Sequence, residues 1–151
     1  MLLILKSQAY QWEYKRSIVR LLLNGKYPDD INQANGDGET SLIIAAKNDF
    51  STVIILLQQN EINVNQQDKN GNTALHYAIS AKGTKRTEAL IAHGNIDINI
   101  KNNLGQTPLH LTSNAFVTQQ LIQAGADENI RDNAGRLPSE LREAQSICLI
   151  L

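Results

Sequence analysis

The feature that most limits what this chain can fold into is a shared interval. Gly38, Gly71, Gly105 and Gly135 lie 33, 34 and 30 residues apart, and Asn32, Asn65, Asn99 and Asn129 repeat the same three intervals. Thr40, Thr73 and Thr107 follow at 33 and 34, as do Leu42, Leu75 and Leu109. Four residue classes in one register mark an internal repeat. A period of this length belongs to stacked supersecondary units, none of which can bury its apolar face alone.

The residues between the landmarks explain the period. Each glycine closes a run of turn formers: Asn35-Gly36-Asp37-Gly38, Asp68-Lys69-Asn70-Gly71, Asn102-Asn103-Leu104-Gly105 and Asp132-Asn133-Ala134-Gly135. Glycine reaches positive φ without steric cost, and Asn or Asp side chains bond to nearby backbone. A helix is expected just after each turn, capped by Thr40, Thr73 or Thr107, with Pro108 at a first helical position. After a short turn a second helix carries Val53-Ile54-Ile55-Leu56-Leu57, Ala89-Leu90-Ile91, and Val117 with Leu121-Ile122. Gly94 and Gly125 sit where a glycine would stop it. Leu42, Leu75 and Leu109 are predicted to form one buried stripe, and Leu57, Leu90 and Leu121 another.

These residues carry a family resemblance. Gly71-Asn72-Thr73-Ala74-Leu75-His76-Tyr77-Ala78 and Gly105-Gln106-Thr107-Pro108-Leu109-His110-Leu111 resemble the G-x-T-P-L-H-x-A signature of ankyrin repeats. Ala124-Gly125-Ala126-Asp127-Glu128-Asn129 resembles the family's G-A-D-x-N ending. The resemblance covers roughly residues 14 to 142. It implies an all-α solenoid in which each unit is a β-turn finger plus an antiparallel helix pair. About three full repeats are expected, with a capping unit at each end: 1–34 as N-terminal cap, 35–67 and 68–101 as repeats, 102–131 as a shortened repeat, and 132–151 as C-terminal cap.

The departures are specific. Ser41, Ile43 and Ile44 replace signature residues in the first repeat, and Glu61 stands where glycine is usual. Ile96 reads as one inserted residue, accounting for the interval of 34. The third unit reads as three residues short between its helices, around Asn114 and Ala115, so a truncated first helix is expected there. Ser17 to Gly25 reads as the second helix of the N-terminal unit, and residues 1–11 as its first helix. Tyr10, Trp12 and Tyr14 are expected to cover that end of the stack. The apolar tail Ile147-Cys148-Leu149-Ile150-Leu151 must pack back, meet a partner or mark a shortened chain, and packing back is the favoured reading.

Composition narrows the function. With 42% apolar and 19% charged residues the chain can build a core. A formal charge of -1 supplies no basic excess for phosphates, so no nucleic-acid partner is expected. No apolar run approaches a membrane span. Met1 to Lys6 lacks the basic start and the length of a signal peptide, so a cytoplasmic protein is expected, with export into a host cell as the alternative. Abundant Asn, Gln and Ile fit a bacterial source and an effector role. One cysteine, Cys148, cannot form an internal disulfide.

No enzyme, cofactor or metal is expected. His76 and His110 stand one repeat apart, roughly 10 Å in a helix stack, whereas zinc needs nitrogen near about 2 Å. The resemblance implies instead that each imidazole bonds to backbone at its own turn. His93, at the end of a second helix, is read as a surface residue. The run from Asn35 to Glu39 lacks the sixth-position glycine and closing glutamate of a calcium loop. By elimination and by resemblance, the chain is expected to bind another protein, as a monomer, through a concave face and the finger tips. The alternative is a dedicated inhibitor or accessory subunit of one enzyme. The surface residues singled out are Asp37, Glu39, Lys47, Asn48, Lys69, Asn70, Asn72, Ser80, Asn103, Leu104, Gln106 and Arg136. Leu104 is the expected apolar anchor, and charge runs from acidic at Asp37 and Glu39 to basic at Lys69 and Arg136. Tyr77 is expected in the core between first helices, with Ile44 and Leu111.

Overall fold

The computed structural model describes residues 31–142. The chain divides into two units at Ile31–Asn32, and the helices below all belong to the second. Residues 1–30 of the expected N-terminal cap, with its aromatic cluster, and the apolar tail fall outside the described residues.

Three helix pairs follow one another: α1 (Ser41–Asn48) with α2 (Phe50–Leu57), α3 (Ala74–Ser80) with α4 (Thr84–Ile91), and α5 (Pro108–Leu111) with α6 (Ala115–Gln123). Residues 138–142 open a further helix. Among the described residues the extended pairing is limited to one isolated bridge, Ala34 with Thr40. First helices pack on first helices (α1 on α3, α3 on α5) and second helices on second helices (α2 on α4, α4 on α6).

The helix starts have local causes. Thr40 and Thr73 are extended, and their hydroxyls accept from the amides of Ile43 and His76. Each thus satisfies a donor that the first helical turn leaves unpaired. Asp49 and Asn114 do the same for α2 and α6. Pro108 begins α5, where its missing N–H costs nothing. α5 is a single turn, as the shortened third unit predicts.

The core is two stripes. Leu42, Leu75 and Leu109 are fully buried between first helices, as expected. The second stripe is Leu56, Leu90 and Leu121, not Leu57, which is only half-buried. The run from Val53 to Leu57 is wholly aliphatic, so its sequence leaves the helical phase open, and the packing against α4 selects Leu56. Val53, Thr87 and Val117 lie one turn before these leucines and are buried with them.

Ile96 is not an insertion. From the cap at Asp49 to Asn65, and from the cap at Gly83 to Asn99, the chain runs sixteen residues in both units. The extra residue lies between helices: Thr40 to Asp49 is nine residues, Thr73 to Gly83 is ten. It is absorbed in the Ala81–Gly83 turn, where Lys82 adopts φ 53, the one positive φ at a non-glycine residue described. The third unit is three residues shorter than the second between helices (Thr107 to Asn114 is seven) and one shorter after α6. There Gly125, at φ 96, closes the helix with Gly125 N–H on Ile122 O and Ala126 N–H on Leu121 O. Gly94 takes no such conformation and is not a helix-stopping glycine of that kind.

Candidate functional site

Three fingers precede the helix pairs and a fourth precedes the helix that opens at residue 138, and each is built by its first residue. Asn35, Asp68, Asn102 and Asp132 each accept, through one side-chain oxygen, from the amides two and four residues on, at 2.9–3.0 Å. Each finger also closes with a bond from the glycine amide to the carbonyl of that first residue. A two-residue tip is thereby held at the end of a backbone clamp.

Adjacent fingers are joined edge to edge. Lys69 N–H donates to Asp37 O at 3.1 Å, Asn103 N–H to Asn70 O at 3.0 Å, and Asn133 N–H to Leu104 O at 3.0 Å. Asn103 and Asn133 add side-chain bonds to the carbonyls of Lys69 and Asn103. A β-carbon on Gly71 would stand 2.6 Å from Asn103 Oδ1 and 2.7 Å from its backbone nitrogen. Here glycine is needed both for φ 73 and for the close approach of the next finger.

The asparagine landmarks form a second ladder. Asn32, Asn65 and Asn99 each donate from Nδ2 to a carbonyl of the next unit (Glu61, Asn95, Gly125). Each also accepts at Oδ1 from the amide of Asn63, Asp97 or Asp127. One side chain thus satisfies a donor and an acceptor that the loop leaves exposed.

His76 and His110 are structural. Nδ1 of each meets the amide and hydroxyl of its own capping threonine, Thr73 or Thr107. An amide can only donate, so Nδ1 is the acceptor and Nε2 carries the proton. Nε2 then donates across the repeat boundary, to Gln106 O at 3.1 Å and Arg136 O at 3.2 Å. Burial pushes both imidazoles below the usual histidine range. They are neutral links between units. In the first unit Ile43 fills this position, and in the last Glu140 accepts from Leu137 N–H. Among the described residues no group of three or more His, Cys, Asp or Glu could hold a metal ion, and no helix is long and apolar enough to cross a membrane.

The residues singled out in the sequence divide into two groups. Asp37, Asn48, Lys69, Asn70, Ser80, Asn103, Leu104 and Arg136 are exposed; Glu39, Lys47, Asn72 and Gln106 are half-buried. Several are engaged within the chain. Lys47 bonds to Glu39 and lies 4.1 Å from the Tyr77 ring centroid. The bond from Lys47, then that from Asn35, holds the Glu39 carboxyl below its usual range. Burial is the largest single influence on the Lys47 ammonium and opposes its charge, but the bond to Glu39 together with the attraction of Tyr77, Glu39 and Asp68 outweighs it and raises its pKa. Arg136 pairs with Asp132 at 2.7 Å and lowers that carboxyl. The acid-to-base gradient is therefore reduced at Glu39 and Arg136, each of which is paired within the chain. Tyr77 is not core: it is half-buried, and its hydroxyl donates to Asp68 at 2.5 Å. Asn72 bonds to Asn102 in the next finger. Among these residues, Asp37, Lys69, Asn70 and Leu104 project from tips, and Leu104 is 65% exposed. The Asp68–Tyr77–Lys47 link between finger and first helix escapes the sequence reading, because no motif marks it.

The comparisons with known proteins agree with this geometry. The family model described as "Ankyrin repeats (3 copies)" matches residues 7–102 and 63–132. The chain is 33% identical over 121 residues to the putative ankyrin repeat protein FPV031 of fowlpox virus, covering 77% of this chain and 35% of that protein. It is 35% identical over 133 residues to mouse Rabankyrin-5, covering 79% of this chain and 11% of that one. An ankyrin repeat-containing protein of Schizosaccharomyces pombe, P1E11.10, is 31% identical over 102 residues, covering 67% of this chain and 49% of the relative. The chain thus spans half or less of the length of these curated relatives. The crystal structure of EF0377, an ankyrin repeat protein, superposes with TM-score 0.70 at 23% identity, covering 79% of this chain and 64% of that one, and shows the same fold. Clamped fingers, threonine–histidine caps and stacked helix pairs, together with the matched model, place this chain in the ankyrin-repeat family, whose members generally act as protein-binding modules without catalysis.

Proposed function

We propose that this chain binds a partner protein through its finger tips and the adjoining ends of its first helices, and that it catalyses no reaction. The observation that carries the reading is the row of equivalent tip residues, Asp37, Asn70, Leu104 and Ala134. The amide of each is held by its own clamp, and the carbonyls of Asp37, Asn70 and Leu104 are bonded to the next finger, while all four side chains are exposed. Such a surface loses little conformational entropy on binding, because its backbone is already ordered. Leu104 is the apolar anchor, Lys69 and Asn70 flank it on the preceding finger, and Asn48 and Ser80 extend the surface at first-helix ends. Glu39, Lys47, Asn72, Asn103, Gln106 and Arg136 frame the surface; of these, Glu39, Lys47, Asn72, Asn103 and Arg136 also hold neighbouring elements in place through their side chains. The chain acts in the cytoplasm, its own or, as an exported effector, that of a host. A dedicated inhibitor or accessory subunit of one enzyme would use the same surface.

Affinity capture with the wild type and with Leu104→Arg/Lys69→Glu tests the assignment. A partner retained by the wild type and lost by the double variant, at unchanged melting temperature, is the expected result. Equal capture by both proteins would remove the tips from the binding surface.

A further inference from the structure

The helix-to-helix turn of the second unit carries positive charge that the chain leaves unpaired. Lys82, Lys85 and Arg86 lie within five residues; Lys82 and Lys85 are exposed and Arg86 is half-buried. Among the described residues none of these three side chains has an acidic partner. Asp49, at the preceding unit's turn, bonds to Ser51 and Thr52 of α2, and Glu88 of α4 lines the groove shared with α6. The Arg86 guanidinium folds against Gly83, where a β-carbon would collide with it, so its charge sits over the turn that holds Lys82. Lys82 itself occupies the longer turn in a left-handed conformation, φ 53, that glycine or asparagine adopts at lower cost. Backbone geometry is therefore no reason for a lysine there.

This charge stands between two exposed aromatic residues. α2, α4 and α6 pack side by side in that order, so their first turns form a row. Phe50 opens α2, and Phe116 holds in α6 the place, second after the cap, that Lys85 holds in α4. The two phenylalanines are 41% and 54% exposed. With neighbouring axes about 10 Å apart, the row from Phe50 to Phe116 is about 20 Å long, the span of about six extended residues.

We propose that this row is a second docking surface, for an extended acidic segment of a partner protein with carboxylates at its centre and an apolar side chain at each end. The carboxylates meet Lys82, Lys85 and Arg86, and the apolar ends cover Phe50 and Phe116. Charge complementarity selects this occupant, because the clustered cations repel one another until an anion separates them. A formal charge of -1 leaves the chain no wider basic surface for a nucleic acid or an anionic membrane. The surface does not rest on the finger tips: the fingers meet the first helices at their N-terminal ends, and the row follows their C-terminal ends.

Fluorescence anisotropy of a labelled peptide, a run of glutamates between two leucines, tests this on the full chain. The wild type should bind it, and more weakly as salt rises. Lys82→Glu/Lys85→Glu should weaken binding by about tenfold or more. Phe116→Ser should weaken it severalfold, and both variants should keep the wild-type melting temperature. Leu104→Arg/Lys69→Glu, at the finger tips, should bind the peptide as the wild type does. No binding by the wild type, binding that survives the charge reversal, or loss in the tip variant would overturn the proposal. So would tighter binding of a single-stranded oligonucleotide or of phosphatidylserine vesicles than of the peptide, which would assign the row to nucleic acid or to a membrane.

Discussion

Three alanine substitutions in equivalent turns separate the two demands that the fingers make on glycine. Gly36 has no neighbour within 4 Å of a built β-carbon and no positive φ; Gly135 has the same open space at φ 79; Gly71 combines φ 73 with contacts of 2.6 and 2.7 Å to Asn103. A left-handed conformation costs a non-glycine residue about 1–2 kcal/mol. Alanine recovers about 0.4–1 kcal/mol by restricting the unfolded chain. Gly135→Ala should therefore destabilise by about 1 kcal/mol, and Gly36→Ala should be neutral or slightly stabilising. Gly71→Ala bears the same strain and also forces Asn103 away. That breaks Asn103 N–H to Asn70 O and strains Asn103 Nδ2 to Lys69 O, each worth about 0.5–1.5 kcal/mol. Its total is about 2–4 kcal/mol. Equilibrium urea unfolding measures all three, provided the slope with denaturant stays constant. If Gly71→Ala costs no more than Gly135→Ala, the edge-to-edge contact between fingers is not a source of stability and the reasoning fails.

Other consequences follow from the core and the caps. Leu75→Ala empties a fully buried position between first helices and should cost about 2–5 kcal/mol; an unchanged thermal midpoint would contradict the stripe. Thr87 is buried on α4 with its hydroxyl lacking a hydrogen-bond partner. Thr87→Val should raise stability by about 1 kcal/mol, and a loss by calorimetry would refute that account. His76 and His110 have folded pKa values below the ordinary 6.5, so the unfolded chain binds more protons in that window. Their contribution to stability is complete above about pH 7 and falls as pH drops through the unfolded histidine value. Urea midpoints at pH 7.5 and 5.5 should show the decrease; a flat or inverted profile would mean that Nδ1 is not an obligatory acceptor.

Much of the fold is legible in the sequence because its causes are local. A glycine at positive φ, an Asn or Asp clamping the backbone two and four residues ahead, and a threonine capping a helix act within five residues. Their recurrence at 33, 34 and 30 therefore reports the units directly. The two histidine caps were expected only from the resemblance to ankyrin repeats, and their bonds to the next unit were not foreseen. Tertiary contacts decided the rest. Only packing against the next second helix could choose Leu56 over Leu57 within an unbroken aliphatic run. Only the backbone path could place the extra residue at Lys82 and not at Ile96, since the interval counts residues without locating them. Only the meeting of side chains in the folded chain could show that Lys47, Glu39 and Arg136 are paired inside the molecule, and that Tyr77 braces a finger. A charge in a sequence is a potential partner for anything; its neighbours in space determine what remains for binding.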